Sequence, residues 1–149
     1  MWCRAGLAAA LLLASAPAEA KQTLRGPYYA QVTGVTDGDT LKVRVSLWID
    51  LETVTSVRLR GIDAPEMRGR CDAEKTLAVQ AKGALGRATT QVVLLRNVTR
   101  DKYAGRVEAD VYTVPDGRDL ARAMIASGLA RPYDGGRRGD WCGPAKAGG

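Results

Sequence analysis

The sequence predicts an α+β fold in which five short strands close into a small barrel and two or three helices pack against it. Three segments of alternating apolar and polar residues come first, each bounded by a turn. A segment with helical spacing follows, then two more alternating segments and a second helical one. This order is typical of a Greek-key barrel of the OB-fold type, although the pattern alone leaves an open sheet as an alternative.

The two-residue period of apolar side chains predicts strands over residues 31–36, 41–49, 55–62, 91–98 and 106–114. The expected inward residues are Leu41, Val43, Val45, Leu47 and Ile49 in the second strand and Val57, Leu59 and Ile62 in the third. The first three strands form a meander, because only short turns separate them. This arrangement brings Asp39 and Asp63 from separate strands to one end of the barrel.

Two segments have the spacing of amphipathic helices. The first is capped by Asp72 and carries Leu77, Ala81 and Leu85 on one face. The second runs from about residue 118 to residue 127, and Gly128 follows it where a left-handed cap is expected.

The chain of 149 residues is long enough for one domain. Residues 1–20 are predicted to be a signal peptide, because Arg4 precedes an apolar run over residues 5–14 and Ala18-Glu19-Ala20 forms a small-x-small cleavage site. A membrane anchor would need about 20 apolar residues. Residues 21–27 are expected to be a flexible lead-in and residues 28–149 the domain, with an irregular tail from about residue 134. The protein is therefore expected to be secreted or periplasmic, without stable membrane association after cleavage.

The composition points to an anionic partner. The formal net charge is +6, and it is unchanged by removal of residues 1–20 because that segment carries one Arg and one Glu. Basic proteins attract nucleic acid, although a basic balance can also serve solubility alone. The chain contains no histidine, which excludes Ser-His-Asp hydrolysis and other histidine-based acid–base chemistry. Carboxylates, tyrosines or lysines must therefore move protons.

Two cysteines, Cys71 and Cys142, remain after residue 20. An even pair in an oxidising compartment usually forms a disulfide, and two free thiols are the alternative. A zinc site is disfavoured, since such sites usually need four nitrogen or sulfur ligands.

The stretch from Val57 to Glu66, VRLRGIDAPE, is the strongest functional motif. Pro65 ends the strand and favours extended geometry at Ala64, which leaves the Ala64 carbonyl free for an ion or water. Asp63 and Glu66 flank this turn close to an arginine. Two acids, a guanidinium and a free carbonyl can hold a hard cation and a phosphate together.

Two more motifs accompany it, TDGDT ending at Thr40 and DKYAGR from Asp101 to Arg106. Alone, Asp37 and Asp39 would most simply cap a turn. In this order, DGDT, VRLRGIDAPE and DKYAGR resemble the staphylococcal-type nuclease (thermonuclease) family over roughly residues 29–133. Three ordered motifs are far more specific than any one of them. The resemblance implies an OB-fold barrel and calcium-dependent hydrolysis of DNA and RNA.

The resemblance also implies roles for single residues. The Ca²⁺ ligands would be Asp39, Asp63 and the backbone carbonyl of Ala64, where the family usually has threonine. Catalysis would fall to Arg58, Glu66 and Arg106, and contacts to the substrate phosphates to Lys102 and Tyr103. Without the resemblance, the arginines would be surface ion-pairing groups and Glu66 a carboxylate beside a helix.

The sequence departs from the family pattern in three places. DKYAGR has one extra residue before its arginine, which either moves Arg106 to the opposite face of its strand or is absorbed by a bulge at Gly105. The segment 67–71 is shorter than the family's substrate loop. The expected helix after Tyr133 is replaced by DGGRRGDWCGPAKAGG.

The predicted function is a secreted, monomeric, calcium-dependent endonuclease. The alternative is a catalytically inactive OB-fold module that binds nucleic acid or peptide. The presence of Asp39, Arg58, Asp63, Glu66 and Arg106 together favours the enzyme, because a binding module has no chemical need for all five.

Overall fold

The computed structural model of the chain describes residues 22–143. Its strands are β1 Thr23–Leu24, β2 Tyr28–Asp37, β3 Thr40–Trp48, β4 Leu51–Leu59, β5 Ile62–Asp63, β6 Val92–Arg100, β7 Arg106–Thr113 and β8 Arg131–Pro132. Its helices are α1 Asp72–Ala88 and α2 Leu120–Ala126. The predicted signal peptide lies outside the described residues. No helix within residues 22–143 is long and apolar enough to cross a membrane.

Five strands close into a barrel in the order β2-β3-β4-β7-β6, and β6 returns to β2. The meander β2-β3-β4 is antiparallel, whereas β4 and β7 are parallel, with Ser56 opposite Arg106. The predicted α+β fold, an OB-fold-like five-stranded barrel with helices, is confirmed. The helices number two within the described part of the chain.

The barrel interior is built from alternate strand residues, as the two-residue period predicts. The buried strand residues include Leu41, Val43, Val57, Leu59, Val93, Leu95, Ala109 and Val111. Ala81 and Leu85 of α1 and Leu120 and Met124 of α2 join the same core. Helix packing on the barrel therefore completes one continuous apolar interior.

Helix α1 begins one residue away from the predicted cap. Cys71, not Asp72, is the N-cap, and its sulfur accepts a hydrogen bond from the Glu74 backbone N–H. Asp72 occupies the first turn, where its negative charge interacts favourably with the positive end of the helix dipole. At the end of α2, Gly128 has the expected left-handed conformation, with φ +73°.

The β3–β4 hairpin tip is more exposed than predicted. Leu47 is 53% exposed and Ile49 is 80% exposed, although both were expected to face inward. The predicted alternation holds as far as Val45, but the register is irregular between Ser46 and Trp48, and Ile49 lies in the turn after β3. β2 pairs with β3 only as far as Arg44, and β7 pairs with β4 only from Ser56. The tip therefore extends beyond its neighbouring strands, and neither face has a sheet to pack against.

The flexible lead-in expected over residues 21–27 contains a short strand within its described residues, 22–27. Thr23 and Leu24 form β1, which pairs with Thr99 and Val98 of β6. Backbone pairing to the barrel thus begins before Tyr28. A strand of two residues is too short to show the alternating pattern that predicts strands from sequence.

Within its described residues, 134–143, the tail after Tyr133 folds back over the start of α1 and forms no helix. Pro132 and Arg131 pair with Ile62 and Asp63, and the Tyr133 N–H donates to the Gly61 carbonyl at 2.9 Å. Further along, Cys142 forms a disulfide with Cys71. The structure thus contains the pairing expected from the cysteine count, and it fixes the tail beside the acidic turn.

Removing this disulfide is expected to lower the free energy of unfolding by about 4 kcal/mol, because it closes a long loop in the unfolded chain. The test is urea unfolding of a Cys71→Ser, Cys142→Ser variant. Serine retains an acceptor at the N-cap, so the covalent link is the main change. Reduced wild-type protein should unfold at the same urea concentration as the variant. A variant as stable as the oxidised protein would contradict the prediction.

Candidate active site

The DGDT turn delivers Asp39 to the mouth of the barrel. A side chain at Gly38 would approach the Ala81 Cβ to 2.5 Å, so glycine allows the turn to pack directly on α1. Asp39 is buried, and its Oδ1 accepts a hydrogen bond from the Thr40 hydroxyl at 2.8 Å. The Asp39 carbonyl accepts from the Leu59 N–H, which ties this turn to β4. The carboxylate therefore has a fixed position.

The β5 turn carries Asp63, Ala64 and Glu66 to the same place. Asp63 is buried, whereas the side chain of Glu66 is 55% exposed. Buried Glu74 on α1 accepts hydrogen bonds from the backbone N–H groups of Glu66 and Arg70, at 3.3 and 3.0 Å. The helix thus holds the irregular turn that follows Pro65.

Arg58 joins the two buried acids. Its Nη1 lies 2.6 Å from Asp39 Oδ2, and its Nη2 lies 3.6 Å from Asp63 Oδ1. Nη2 also donates to the Ile62 carbonyl at 3.1 Å. The Arg58 side chain is only 16% exposed, so these contacts fix its direction into the site. Its predicted position beside the acidic turn agrees with the structure.

Burial raises the pKa of Asp39 to about 6. The Arg58 guanidinium opposes this effect, and the neighbouring Asp37 adds to it. A desolvated carboxylate with this environment is stabilised in its charged form by a nearby cation. The site therefore favours positive charge beside Asp39.

Arg106 enters from β7. Its Nε lies 2.5 Å from Asp101 Oδ2, and its guanidinium lies 4.8 Å from the centre of the Tyr103 ring. Partial burial works to raise the pKa of Asp101, but the hydrogen bond and charge of Arg106 lower it overall. Lys102 Nζ lies 5.3 Å from the same Tyr103 ring. The Tyr103 ring thus lies close to two cations.

The extra residue of DKYAGR lies in the loop between β6 and β7. Arg100 pairs with Val107, and the five residues 101–105 connect the strands, with Gly105 at φ +76°. The register irregularity in this strand pair lies between Arg96 and Thr99, away from Gly105. A ladder bulge at Gly105 is therefore not how the residue is absorbed, and Arg106 faces the cleft.

A cleft of about 400 Å³ brings the predicted residues together. It is lined by Asp39, Arg58, Ala64, Glu66, Lys102, Tyr103 and Arg106, among others. Asp63 lies beneath its surface, in contact with Arg58. All eight residues proposed from sequence for metal, catalysis and substrate thus belong to one site.

The tail contributes residues that the sequence did not predict. Tyr133, Gly135 and Arg138 line the same cleft. Arg138 contacts Asp63 and Glu66, and the indole N–H of Trp141 donates to Asp63 Oδ2 at 3.1 Å. The predicted disulfide could have indicated them, because it places the residues before Cys142 near the acidic turn.

Cys71, Glu74 and Cys142 also lie close together, with their ligand atoms within 4.8 Å of one another. The two sulfur atoms are joined in the disulfide, and Glu74 accepts hydrogen bonds from the backbone. This cluster is structural.

The donor set at the cleft suits a hard divalent cation. Two carboxylates, Asp39 and Asp63, and the Ala64 carbonyl offer oxygen atoms of the kind that calcium prefers. The Arg138 guanidinium donates hydrogen bonds to Asp63 Oδ1 at 2.6 Å and to the Ala64 carbonyl at 2.9 Å, so these oxygens already interact with a cationic group. Arg58, Lys102 and Arg106 add three positive charges to the lining of the cleft.

Comparison with known proteins shows the family to which the chain belongs. A family model described as "Staphylococcal nuclease homologue" matches residues 56–140. The chain is also similar to "Endonuclease Htp3" of Saprolegnia parasitica (strain CBS 223.65), with 32% identity over 100 residues. That alignment covers 60% of this chain and 46% of the relative, so the chain spans less than half of the relative's length. The family match includes Arg58, Asp63, Glu66 and Arg106 and begins after Asp39.

Proposed function

The chain belongs to the staphylococcal nuclease homologue family, and we propose that it is a metal-dependent nuclease that hydrolyses phosphodiester bonds of DNA and RNA. The observation that carries the proposal is the cleft itself. It combines two buried acids and an exposed glutamate with cationic side chains from three separate chain segments. Phosphodiester hydrolysis needs these groups together, because charge builds on the phosphate as water attacks.

We propose that Asp39, Asp63 and the Ala64 carbonyl hold Ca²⁺. When bound, the ion would polarise the scissile phosphate and neutralise part of its charge. The carboxylates would be oriented by protein contacts already present, namely Thr40 on Asp39 and Trp141 on Asp63. Such supporting contacts typically fix the direction of metal ligands.

Glu66 is proposed to accept a proton from the attacking water or to orient it. Its side chain reaches the cleft from the turn held by Glu74, and its exposure leaves room for water. Histidine, the most common general base, is absent from the sequence, so a carboxylate is the natural candidate.

Arg58 and Arg106 are proposed to stabilise the charge that develops on the phosphate oxygens. A guanidinium can donate two parallel hydrogen bonds to phosphate. Each arginine is held by a carboxylate, Asp39 for Arg58 and Asp101 for Arg106. Both would therefore be oriented before substrate arrives.

Lys102 and Tyr103 are proposed to bind the nucleotide beside the scissile bond. Tyr103 is 58% exposed at the cleft, so much of its side chain is accessible to a base or phosphate. Stacking on such a ring tolerates every base. This site would therefore bind nucleic acid with little sequence preference.

The test is a gel assay of the purified chain on single- and double-stranded DNA and RNA with calcium, magnesium or chelator. Cleavage that depends on divalent metal is expected. Asp39→Asn should lose activity and calcium affinity together, because it removes ligand charge while keeping the side chain's size. Asp72→Asn, on an exposed carboxylate outside the cleft, is the control. Metal-independent cleavage, or full activity in Asp39→Asn, would contradict the proposed site.

We also propose that the chain is exported and acts as a monomer outside the cytoplasm. The support is the signal-like pattern of residues 1–20 and the presence of the disulfide, which persists in oxidising compartments. N-terminal sequencing of the protein from its producing cells should give a chain starting near Lys21. A membrane-bound chain that still begins at Met1 would contradict export with cleavage.

A further inference from the structure

The Arg138 side chain fills the acidic end of the cleft. Its Nε lies 2.6 Å from Asp63 Oδ1, and its Nη2 donates to the Ala64 carbonyl at 2.9 Å. Its Nη1 forms a close ion pair with Glu66. All three guanidinium nitrogens are thus used on oxygens to which the proposed function assigns metal binding and water activation.

These contacts leave little of Asp63 for another cation. Its Oδ1 contacts both Arg138 and Arg58, and its Oδ2 accepts the Trp141 indole N–H. The Ala64 carbonyl faces the same guanidinium. A divalent ion at these oxygens and the Arg138 guanidinium would place two cations within a few Å of each other, and like charges repel strongly at that distance.

We propose that Arg138 is an internal competitor of the divalent cation, so that this side chain sets the metal concentration at which the site is loaded. The inference rests on the proposed function, because it assumes the metal site at Asp39, Asp63 and Ala64. If Arg138 occupied the site about nine-tenths of the time, the apparent calcium affinity would be about tenfold weaker than that of the open site.

The segment that carries Arg138 is attached to the rest of the protein on both sides, so the side chain can leave the acidic oxygens while the segment stays beside the cleft. On one side, the Tyr133 backbone N–H donates a hydrogen bond to the Gly61 carbonyl. On the other side, Trp141 is buried against the Arg131 guanidinium, 3.7 Å from the ring centre, and Cys142 is in the disulfide. Arg138 lies on the exposed segment between these two anchors.

This attachment keeps the arginine near the site at all times. A tethered group acts at an effective concentration in about the millimolar range when its connection is short. A single arginine can therefore compete with a divalent ion at this site, although a free guanidinium at low concentration would not.

The test is isothermal titration of Ca²⁺ into the metal-free full chain and into Arg138→Gln. The variant removes the competing charge, so its dissociation constant for calcium should be at least about tenfold lower than that of wild type. Arg137→Gln is the matched control. It removes the same charge one residue away, and Arg137 is exposed and does not line the cleft but a neighbouring depression that Asp63 also lines. Its dissociation constant should stay within about twofold of wild type, which separates competition from a general charge effect.

Arg138→Lys provides a second variant if glutamine impairs folding, which circular dichroism would reveal. Lysine keeps the charge, but its single ammonium group cannot reproduce the contacts that the three guanidinium nitrogens make with Asp63, Ala64 and Glu66. An intermediate calcium affinity is therefore expected. Calcium binding that is unchanged or weaker in Arg138→Gln, or in Arg138→Lys where only that variant folds, would overturn the inference. A tightening that Arg137→Gln reproduces in full would also overturn it.

The outcomes distinguish this inference from the proposed function. If calcium binds wild type, Asp39→Asn abolishes binding and Arg138→Gln leaves it unchanged, the metal site stands and the competition does not. If neither wild type nor Arg138→Gln binds calcium, both proposals fail.

Discussion

Replacing Arg58 or Arg106 with alanine is expected to slow phosphodiester cleavage by about 10³-fold, which corresponds to about 4 kcal/mol in the barrier. Each guanidinium faces the cleft, and each is proposed to neutralise charge that appears only as the phosphate is attacked. Loss of such a group lowers the rate of the chemical step more than it weakens substrate binding. Single-turnover cleavage of a labelled duplex measures this step.

Arg44→Ala is the matched control for both arginines. Arg44 lies on the neighbouring strand β3, pairs with Glu52 and is about half exposed, away from the cleft. Its removal should leave the rate unchanged. Because Arg58 partners two buried acids, thermal unfolding of Arg58→Ala and Arg58→Lys must accompany the rates. An Arg106→Ala variant as fast as wild type would show that this arginine has no catalytic role.

Changing Glu66 to glutamine is expected to slow the chemical step by about 10²-fold or more, as loss of a general base or a water-orienting group does. Glutamine keeps the size of the side chain and one acceptor oxygen, but it cannot take the proton. Calcium affinity should change by no more than a few fold, since Glu66 is not among the proposed ligands. Calorimetry and single-turnover rates on the same preparation separate the two effects.

Glu52→Gln is the control for Glu66, because the two glutamate side chains have the same exposed fraction, 55%. The Glu52 variant should cleave at the wild-type rate. If Glu66→Gln also cleaves at that rate, another group must activate the water. If it instead loses calcium binding, Glu66 is a metal ligand and the division of roles proposed for the acids is wrong.

Most of the barrel could be predicted because its determinants are local. Alternation defines β3 and β4, and short turn sequences place Asp39 and Asp63 at one end of the meander. The exposure of Ile49 could not be predicted in the same way, since its alternation is identical to that of Val43. Val43 lies within the paired part of β3, whereas Ile49 lies in the turn after β3 has ended at Trp48, beyond the reach of β2 and β7.

The cleft could be predicted in part for the same reason. Arg58, Asp63 and Glu66 lie within one short stretch, so their proximity follows from sequence. Arg138 lies 75 residues beyond Asp63 and has no motif around it. Its place depends on the disulfide and on the burial of Trp141, which are long-range contacts that periodicity does not describe.

This cleft is proposed to use a divalent cation to cleave nucleic acid. The most direct measurement follows a fluorescent DNA duplex with the purified chain, first in chelator and then after calcium is added in excess. No cleavage is expected before calcium, cleavage should begin when it is added, and further chelator should stop it. A sample that binds the duplex, as shown by fluorescence anisotropy, but leaves every phosphodiester bond intact with calcium or magnesium would contradict the claim and favour a binding module.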